Sequence, residues 1–412
     1  METVYRCCAG LDVHKQTVAV CVRRLDDRGA LTKEVRTFGT MTGELLALSD
    51  WLKEWGVTHV AMESTGVYWK PIFNILEGGF EVLLVNARHI KHVPGRKSDA
   101  QDCEWIAQLL QHGLLRASFV PPRPQREWRD LTRQRAQLVG DQARVANRIQ
   151  KTLEDANIKL GSVASDVLGV SGQAILQALI EGESDPKRLA DLACGRLRAK
   201  VPQLRAAVRG YVTDHHRFML RQLLEQWLYL RDQVSQFGRR IEEVLVPFSE
   251  AIRPTDAIPG VNRRTMEALV AEIGTDMSRF PTADHLSSWA GICPGKEESA
   301  GKRKSSHTPK GNRWLRAALV QAAWAASHTK DTYLSAQYHA LARRRGKKRA
   351  LVAVAHSILV IVYHMLKDGT PYRDLGADHL DRRHAEQLVR YHVKRLAALG
   401  HKVTLESKSD AA

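Results

Sequence analysis

Over the first 120 residues the apolar positions come in short valine- and leucine-rich runs; beyond residue 125 they recur every three or four positions over long stretches. The first rhythm predicts strands alternating with short helices, the second long amphipathic helices. Strands are expected at 4–12, 17–23 and 31–40, the last two separated by a DDRG turn at 26–29, which together make an antiparallel meander. A helix over 42–55, a strand over 58–63, a helix over 68–76, the apolar strand 81–85 and a helix opened by Asp99 and running to about 112 follow. That alternation is the βαβ pattern, so an α/β domain with a mixed sheet and helices on its faces is expected.

The run VPPRP at 120–124 cannot continue a helix and closes the first domain. From 125 to about 160, Leu131, Leu138, Val145, Ile149 and Leu153 share one face of a long amphipathic helix. In a second one, Leu220, Leu223, Trp227, Leu230, Val234, Phe237, Ile241 and Val244 alternate by three and four, a coiled-coil heptad pattern. Pairing within one chain and pairing between protomers both satisfy it. Shorter helices between 165 and 208 connect the two arms. After Pro247 and Pro254, the run AIPGV at 257–261 and a helix over 265–273 open a mainly helical C-terminal domain. A glycine turn there resembles a helix-hairpin-helix, whose backbone amides hold a DNA phosphate, with a plain interhelical turn as the alternative. The expected divisions are 1–120, 121–250, 251–375 and a peripheral extension 376–412.

Charge narrows the partners. Lys and Arg total 62 against 45 acids in 412 residues, a net charge of +17 and a pI near 9.7, which favours a polyanion such as DNA or RNA. The six cysteines lack C-x-x-C spacing, so buried thiols in a reducing compartment are expected rather than disulfides or zinc ligands. No run of eighteen apolar residues occurs, and METVYRCCAG lacks a signal-peptide layout, so a cytoplasmic protein with no membrane partner is expected.

Against this basic background four carboxylates stand out: Asp12 in GLDVHK, Glu63 in VAMESTG, and Asp99 and Asp102 in KSDAQD. Each falls where a strand ends or a helix begins, and Asp99 and Asp102, three apart on a helix, share a face. Two Mg2+ ions about 4 Å apart can stabilise the attacking and leaving oxygens of a phosphodiester if several hard oxygen ligands converge on one point. The layout is that of an RNase H-type nuclease. An Asp after a strand is otherwise a turn or cap residue, and the metal reading rests on the set of four. Lys97 would contact the scissile phosphate or stay solvated, and His14, in a turn with Lys15, would support a ligand.

The second constellation is CPGKEESAGKRKSSHTPKGNRWLRAAL at 293–319, where Lys296, Lys302, Arg303, Lys304, Lys310, Arg313 and Arg316 surround Ser299, Ser305 and Ser306 in a glycine-containing loop. A serine hydroxyl among cations can attack a phosphodiester, because the positive field stabilises both the alkoxide and the pentacovalent transition state. A loop that only grips backbone phosphates would carry the same cations. The run ARRRGKKRA, with Arg343, Arg344, Arg345, Lys347 and Lys348, is a backbone-binding patch or a solvated face.

Taken in order, GLDVHK, MESTGVYW, KSDAQD, IPGV, ESAGKRKSS and PKGNRWLRAAL resemble the insertion sequence 110 family of transposases over nearly the whole chain. The resemblance implies an N-terminal RuvC-like domain whose metal tetrad falls on Asp12, Glu63, Asp99 and Asp102. It also implies a C-terminal transposase domain whose nucleophile falls on Ser299, with Ser305 and Ser306 as alternatives in the same loop. It further implies a covalent phosphoserine link to DNA, recombination of a circular element with its target, and a dimer-to-tetramer whose active sites combine domains of different protomers. A structured non-coding guide RNA and a bacterial, nucleoid-associated location are implied as well. A basic chain with no recognisable base-reading helix fits such a division of labour. Two other readings stay open: a Holliday-junction resolvase or RNase H-like metal-dependent nuclease that activates water, and a non-catalytic nucleic-acid-binding protein whose acids are structural.

Overall fold

The computed structural model describes residues 2–64, 66–86, 102–249, 257–294, 297–299, 302–305, 307–383 and 385–405. Two compact units divide the chain, Met1–Pro121 and Pro122–Ala412.

In the first unit, β1 (Cys7–Val13), β2 (Thr17–Leu25) and β3 (Leu31–Gly39) form the antiparallel meander, and β4 (His59–Glu63) and β5 (Glu81–Val85) extend it with parallel pairings. The sheet order is β3-β2-β1-β4-β5, a mixed sheet of five strands. Helix α1 (Thr42–Glu54) follows β3, α2 (Trp69–Leu76) connects β4 to β5, and α3 (Asp102–Gln111) follows. The first strand starts three residues later than the pattern suggested.

Period-two alternation sorts the sheet into two faces. Ala9, Leu11, Val13, Val20, Val60 and Met62 pack against Leu45, Leu48, Trp51 and Ile72 of α1 and α2. Cys8, Ala61 and Val85 face Ile106, Leu109 and Leu110 of α3, and Cys21 meets Cys103 and Ala107. Each fully buried Leu or Ile contributes on the order of 1.5–3 kcal/mol, which fixes the register, since a one-residue slip would turn the valines from the α1–α2 core onto the closely packed α3 face. Gly10 lets α3 lie directly on β1: a Cβ there would sit 2.2 Å from the Ala107 amide nitrogen and 2.4 Å from the Cys103 carbonyl oxygen.

Among its described residues the second unit is helical apart from one hairpin. Helix α4 (Arg123–Asp155) runs for 33 residues. The prolines that close the first domain also open this helix: Pro122 precedes it and Pro124 sits in its first turn, where no amide is missed. It stops short of the expected 160, and Asn157 turns the chain with φ 53°. The helices α5 (Leu160–Val163), α6 (Val170–Glu181), α7 (Pro186–Asp191) and α8 (Val201–Ala207) connect it to α9 (Asp214–Val244). Leu138, Val145, Ile149 and Leu153 of α4 share a core with Leu220, Leu223, Leu224 and Leu230 of α9, with Trp227, Val234 and Phe237 packed at its edge. The heptad stripe therefore has a partner inside its own chain.

Helices α10 (Arg263–Ile273) and α11 (Ala283–Ala290) precede the hairpin β6 (Glu297–Ser299) and β7 (Lys302–Ser305); α12 (Arg313–Ser327), α13 (Tyr333–Arg345), α14 (Lys347–Asp368), α15 (His379–Arg383) and α16 (Ala385–Ala398) follow. Gly260, φ +77°, packs on α12, where a Cβ would lie 2.3 Å from the Ala322 carbonyl oxygen. Close approach to a protein helix thus accounts for that glycine without a phosphate. Helix α14 is long and apolar enough to cross a membrane by length and composition alone, yet Val354, Ala355, Ile358, Leu359 and Val362 are fully buried in this unit. Among the cysteines, Cys8, Cys21 and Cys103 are buried as expected, but Cys194 is exposed.

Candidate functional site

Asp12 and Glu63 end neighbouring parallel strands. Leu11 pairs with Met62 across β1 and β4, so the next step along the register brings Asp12 beside Glu63. Both follow the parity of Gly10 and Ala61 and so emerge on the α3 face. Helix α3 runs antiparallel to β1: the Val4 amide donates to the Gln111 carbonyl, Cys8 Sγ to the Ala107 carbonyl, and Gly10 lies under Cys103 and Ala107. Its first residue, Asp102, therefore begins at the end of the sheet where Asp12 and Glu63 emerge. The Cys103 thiol registers this layout. Burial above all, with Cys21 and Asp12 adding and a hydrogen bond from the Glu104 backbone opposing, pushes it up to about 12.

Asp12 is about one-fifth exposed, and its Oδ2 lies 3.1 Å from His14 Nε2, an imidazole that is 63% exposed. His14 is set by the β1–β2 turn, where its amide donates to the Thr17 carbonyl. Glu104, one turn into α3, pairs with Lys33 of β3 at 2.9 Å. Lys97 and Asp99 lie outside the described residues. Among the described residues no three His, Cys, Asp or Glu side chains come close enough to hold a metal ion. The donor chemistry is nonetheless that of a hard cation, carboxylate oxygens at the end of one sheet face, which suits Mg2+.

The serine segment is more ordered than a loop. Glu297 pairs with Ser305, Glu298 with Arg303 and Ser299 with Lys302, so β6 and β7 form an antiparallel hairpin with a register shift between Glu297 and Glu298. Its two ends are stapled by glycines: a Cβ on Gly291, φ +69°, would lie 2.6 Å from the Gly311 amide nitrogen, and one on Gly311 would lie 2.3 Å from the Ala290 carbonyl oxygen. Ser306 and Lys296 lie outside the described residues. Lys310 and Arg313 are exposed and Arg316 is half-buried on α12.

Between α4, α10 and the start of α12 lies an ion cluster that charge counting alone does not reveal. Glu272 is 2% exposed; Arg133 grips it with two hydrogen bonds of 2.7 and 2.8 Å, Arg129 lies at 3.3 Å, and the Asn312 amide donates at 2.6 Å. Asn312 Oδ1 in turn caps α12 by accepting from the Trp314 and Leu315 amides. Arg129 also donates to the Ala271 and Glu272 carbonyls, cationic company for the C-terminus of α10. Burial pulls its guanidinium down to about 10, still cationic at neutral pH. Glu267, equally buried, pairs with Arg135 at 2.8 Å and Arg263 at 3.3 Å. The signal that could have found this cluster is two glutamates where the period of α10 calls for apolar side chains.

The run Arg343, Arg344, Arg345, Lys347, Lys348 straddles Gly346, φ +83°, between α13 and α14, with every residue from 343 to 349 exposed. Three cations occupy the last turn of α13, where the helix dipole favours them.

Comparisons with known proteins fit this two-part layout. A transposase family model of the IS110 DEDD type matches residues 9–158, and the model described as Transposase IS116/IS110/IS902 family matches 255–339. Two separate regions of the chain are therefore similar to transposase domains of the IS110 type. It is 36% identical over 119 residues to an insertion element IS110 protein of 43.6 kDa from Streptomyces coelicolor, covering 28% of this chain and 29% of that protein. The similarity to the transposase for insertion sequence element IS1111A of Coxiella burnetii is 23% over 371 residues, 88% of this chain and 90% of that one. The pilin gene-inverting protein of Moraxella bovis is 29% identical over 181 residues, 42% of this chain and 52% of its own length.

Proposed function

We propose that the protein is a DNA transposase that cuts and rejoins strands through a serine nucleophile, with Mg2+ held by Asp12, Glu63, Asp99 and Asp102. What supports this reading is the β1–β4 register, whose next step after Leu11 and Met62 brings Asp12 beside Glu63 on the α3 face, at the end where Asp102 opens α3, in a chain that matches two transposase domain models. The metal, when bound, would supply charge stabilisation at the attacking and leaving oxygens. Ser299 Oγ attacks the phosphorus; the new O–P bond replaces a P–O bond to the sugar, the serine proton leaves to solvent or a base, and the freed sugar oxygen takes one up. Attack by that sugar hydroxyl, or an equivalent one, on the phosphoserine reverses the step and rejoins the strands. The cations Lys302, Arg303, Lys304, Lys310, Arg313 and Arg316 hold the flanking phosphates, and Arg343–Arg345 with Lys347 and Lys348 extend that track. DNA is the substrate, a structured RNA supplies the sequence choice, and the working form is a dimer to tetramer in the bacterial cytoplasm.

The test is to incubate the protein with Mg2+, the element's RNA and DNA carrying its junction. A covalent protein–DNA adduct mapping to Ser299, absent from Ser299→Ala and from Asp12→Asn, is expected. Cleaved ends without an adduct would point to hydrolysis by water instead, and an adduct mapping to Ser305 or Ser306 would move the nucleophile within the hairpin.

A further inference from the structure

A cavity of about 430 Å3 opens between α4, α10 and α12, within the about 300–1,000 Å3 range of small-ligand sites. No step of the proposed strand chemistry uses it. Its walls include small side chains, among them Ala268 and Ala318, and the half-buried indole of Trp314. The indole is rigidly mounted. Asn312 caps its backbone amide and donates to Glu272, Glu272 holds Arg133, and the Arg133 guanidinium carbon lies 5.9 Å from the Trp314 ring centre, with that of Arg313 at 4.5 Å. At the mouth, Arg264 is exposed and makes no ion pair among the described residues; it stands in the first turn of α10, where the helix dipole favours an anion. The buried glutamates nearby are already neutralised by Arg129, Arg133 and Arg135, so the mouth is left positive.

An aromatic platform in a small-walled cavity with an unpaired cation at its rim is what a single unstacked nucleotide requires: a π-face for the base and a cation for the phosphate. We propose that this cavity takes one unpaired nucleotide of a single strand, the base stacked on Trp314 and the phosphate on Arg264. The site lies at the root of the hairpin segment, because the chain that leaves β7 at Ser305 enters α12 at Asn312. The inference deepens the strand-cleavage reading, on which it rests for the origin of the strand, but binding is measurable without any cleavage.

The probe is an oligonucleotide of about twelve residues with a central 2-aminopurine, as DNA and as RNA, titrated with the full chain. Quenching of the 2-aminopurine on binding is expected, strongest for whichever strand is the natural occupant. Trp314→Ala should abolish the quench and weaken binding about tenfold or more, whereas Trp314→Phe keeps both. Ala318→Phe, which fills the cavity, should mimic Trp314→Ala, and Arg264→Ala should weaken binding several-fold and flatten its salt dependence by about one phosphate contact. Thermal melting checks folding; if Trp314→Ala melts early, Ala318→Phe and Arg264→Ala decide. Unchanged quench and affinity within twofold in the folded variants would overturn the proposal. A Trp314-dependent quench without any Ser299 adduct would sustain this site and reject serine cleavage; an adduct with no Trp314 dependence would do the reverse.

Discussion

Two shielded acids, Asp12 in the first unit and Glu272 in the second, sit in opposite company. Glu272 is enclosed by Arg129, Arg133 and Asn312. Asp12, at the end of a buried strand, is met by the exposed imidazole of His14 at 3.1 Å. A carboxylate enclosed by two guanidiniums is committed to structure; one beside a single solvent-facing imidazole stays open to a cation from outside. The contrast separates acids that hold the fold from acids that can do chemistry, which sequence position alone does not.

The largest effect that would break or sharpen this contrast is expected from Glu272→Ala. Removing the carboxylate leaves Arg129 buried without its counter-charge, and a loss of about 3–5 kcal/mol in unfolding free energy is expected, read from the urea midpoint and slope. The same loss from Asp12→Ala would mean that both acids are structural. Asp12→Asn should instead keep the unfolding midpoint while strand cleavage falls about a hundredfold or more, read by adduct formation on junction DNA. Gly10→Ala comes next. Its methyl group would push α3 off β1, destabilising by about 1–3 kcal/mol, and separate Asp102 from Asp12, so activity should fall further than stability explains. Arg344→Ala in the exposed run should weaken DNA binding only a few-fold, uniformly across sequences, and reduce the slope of binding against salt by about one. The last effect, absent near neutrality, is on alkaline pH. Burial pushes Cys8 and Cys103 up to about 12, from 9.0 in the unfolded chain. Their contribution to stability is therefore complete below pH 9 and is lost progressively towards pH 12, because the unfolded chain releases the proton first. Below pH 9, iodoacetamide should label exposed Cys194 in the native protein while Cys8, Cys21 and Cys103 react only on unfolding.

The sheet was legible because its cause is local: valines at alternate positions of β2 and a run of apolar residues in β5 need no distant partner to be recognised. The two long helices were legible for the same reason, their period being written into 31 and 33 residues. The α4 boundaries slipped because prolines both stop and start helices, and only the structure shows Pro122 and Pro124 starting one. What composition hid was long-range. Glu267 and Glu272 look like surface charges until Arg135 and Arg133, more than 130 residues earlier, close over them. The hairpin around Ser299 was masked by its cations, since KRKS carries no strand-like alternation. Gly10 looked like part of an acidic motif, and its structural duty appears only once α3 lies on it.

Helix α4 rises by about 50 Å from end to end, and its two halves serve different neighbours: Arg129, Arg133 and Arg135 answer the glutamates of α10, while Leu138 to Leu153 fill the core with α9. The chain after Pro122 is thus not a row of beads that can be cut between beads. A fragment beginning at residue 251 would keep Arg263 beside Glu267 but lose Arg129, Arg133 and Arg135, and one ending at 250 would carry those three arginines with nothing to hold. The two pieces should be insoluble apart and recover structure only when mixed, so dissecting this protein demands a split that leaves α4 whole and on the same side as α10.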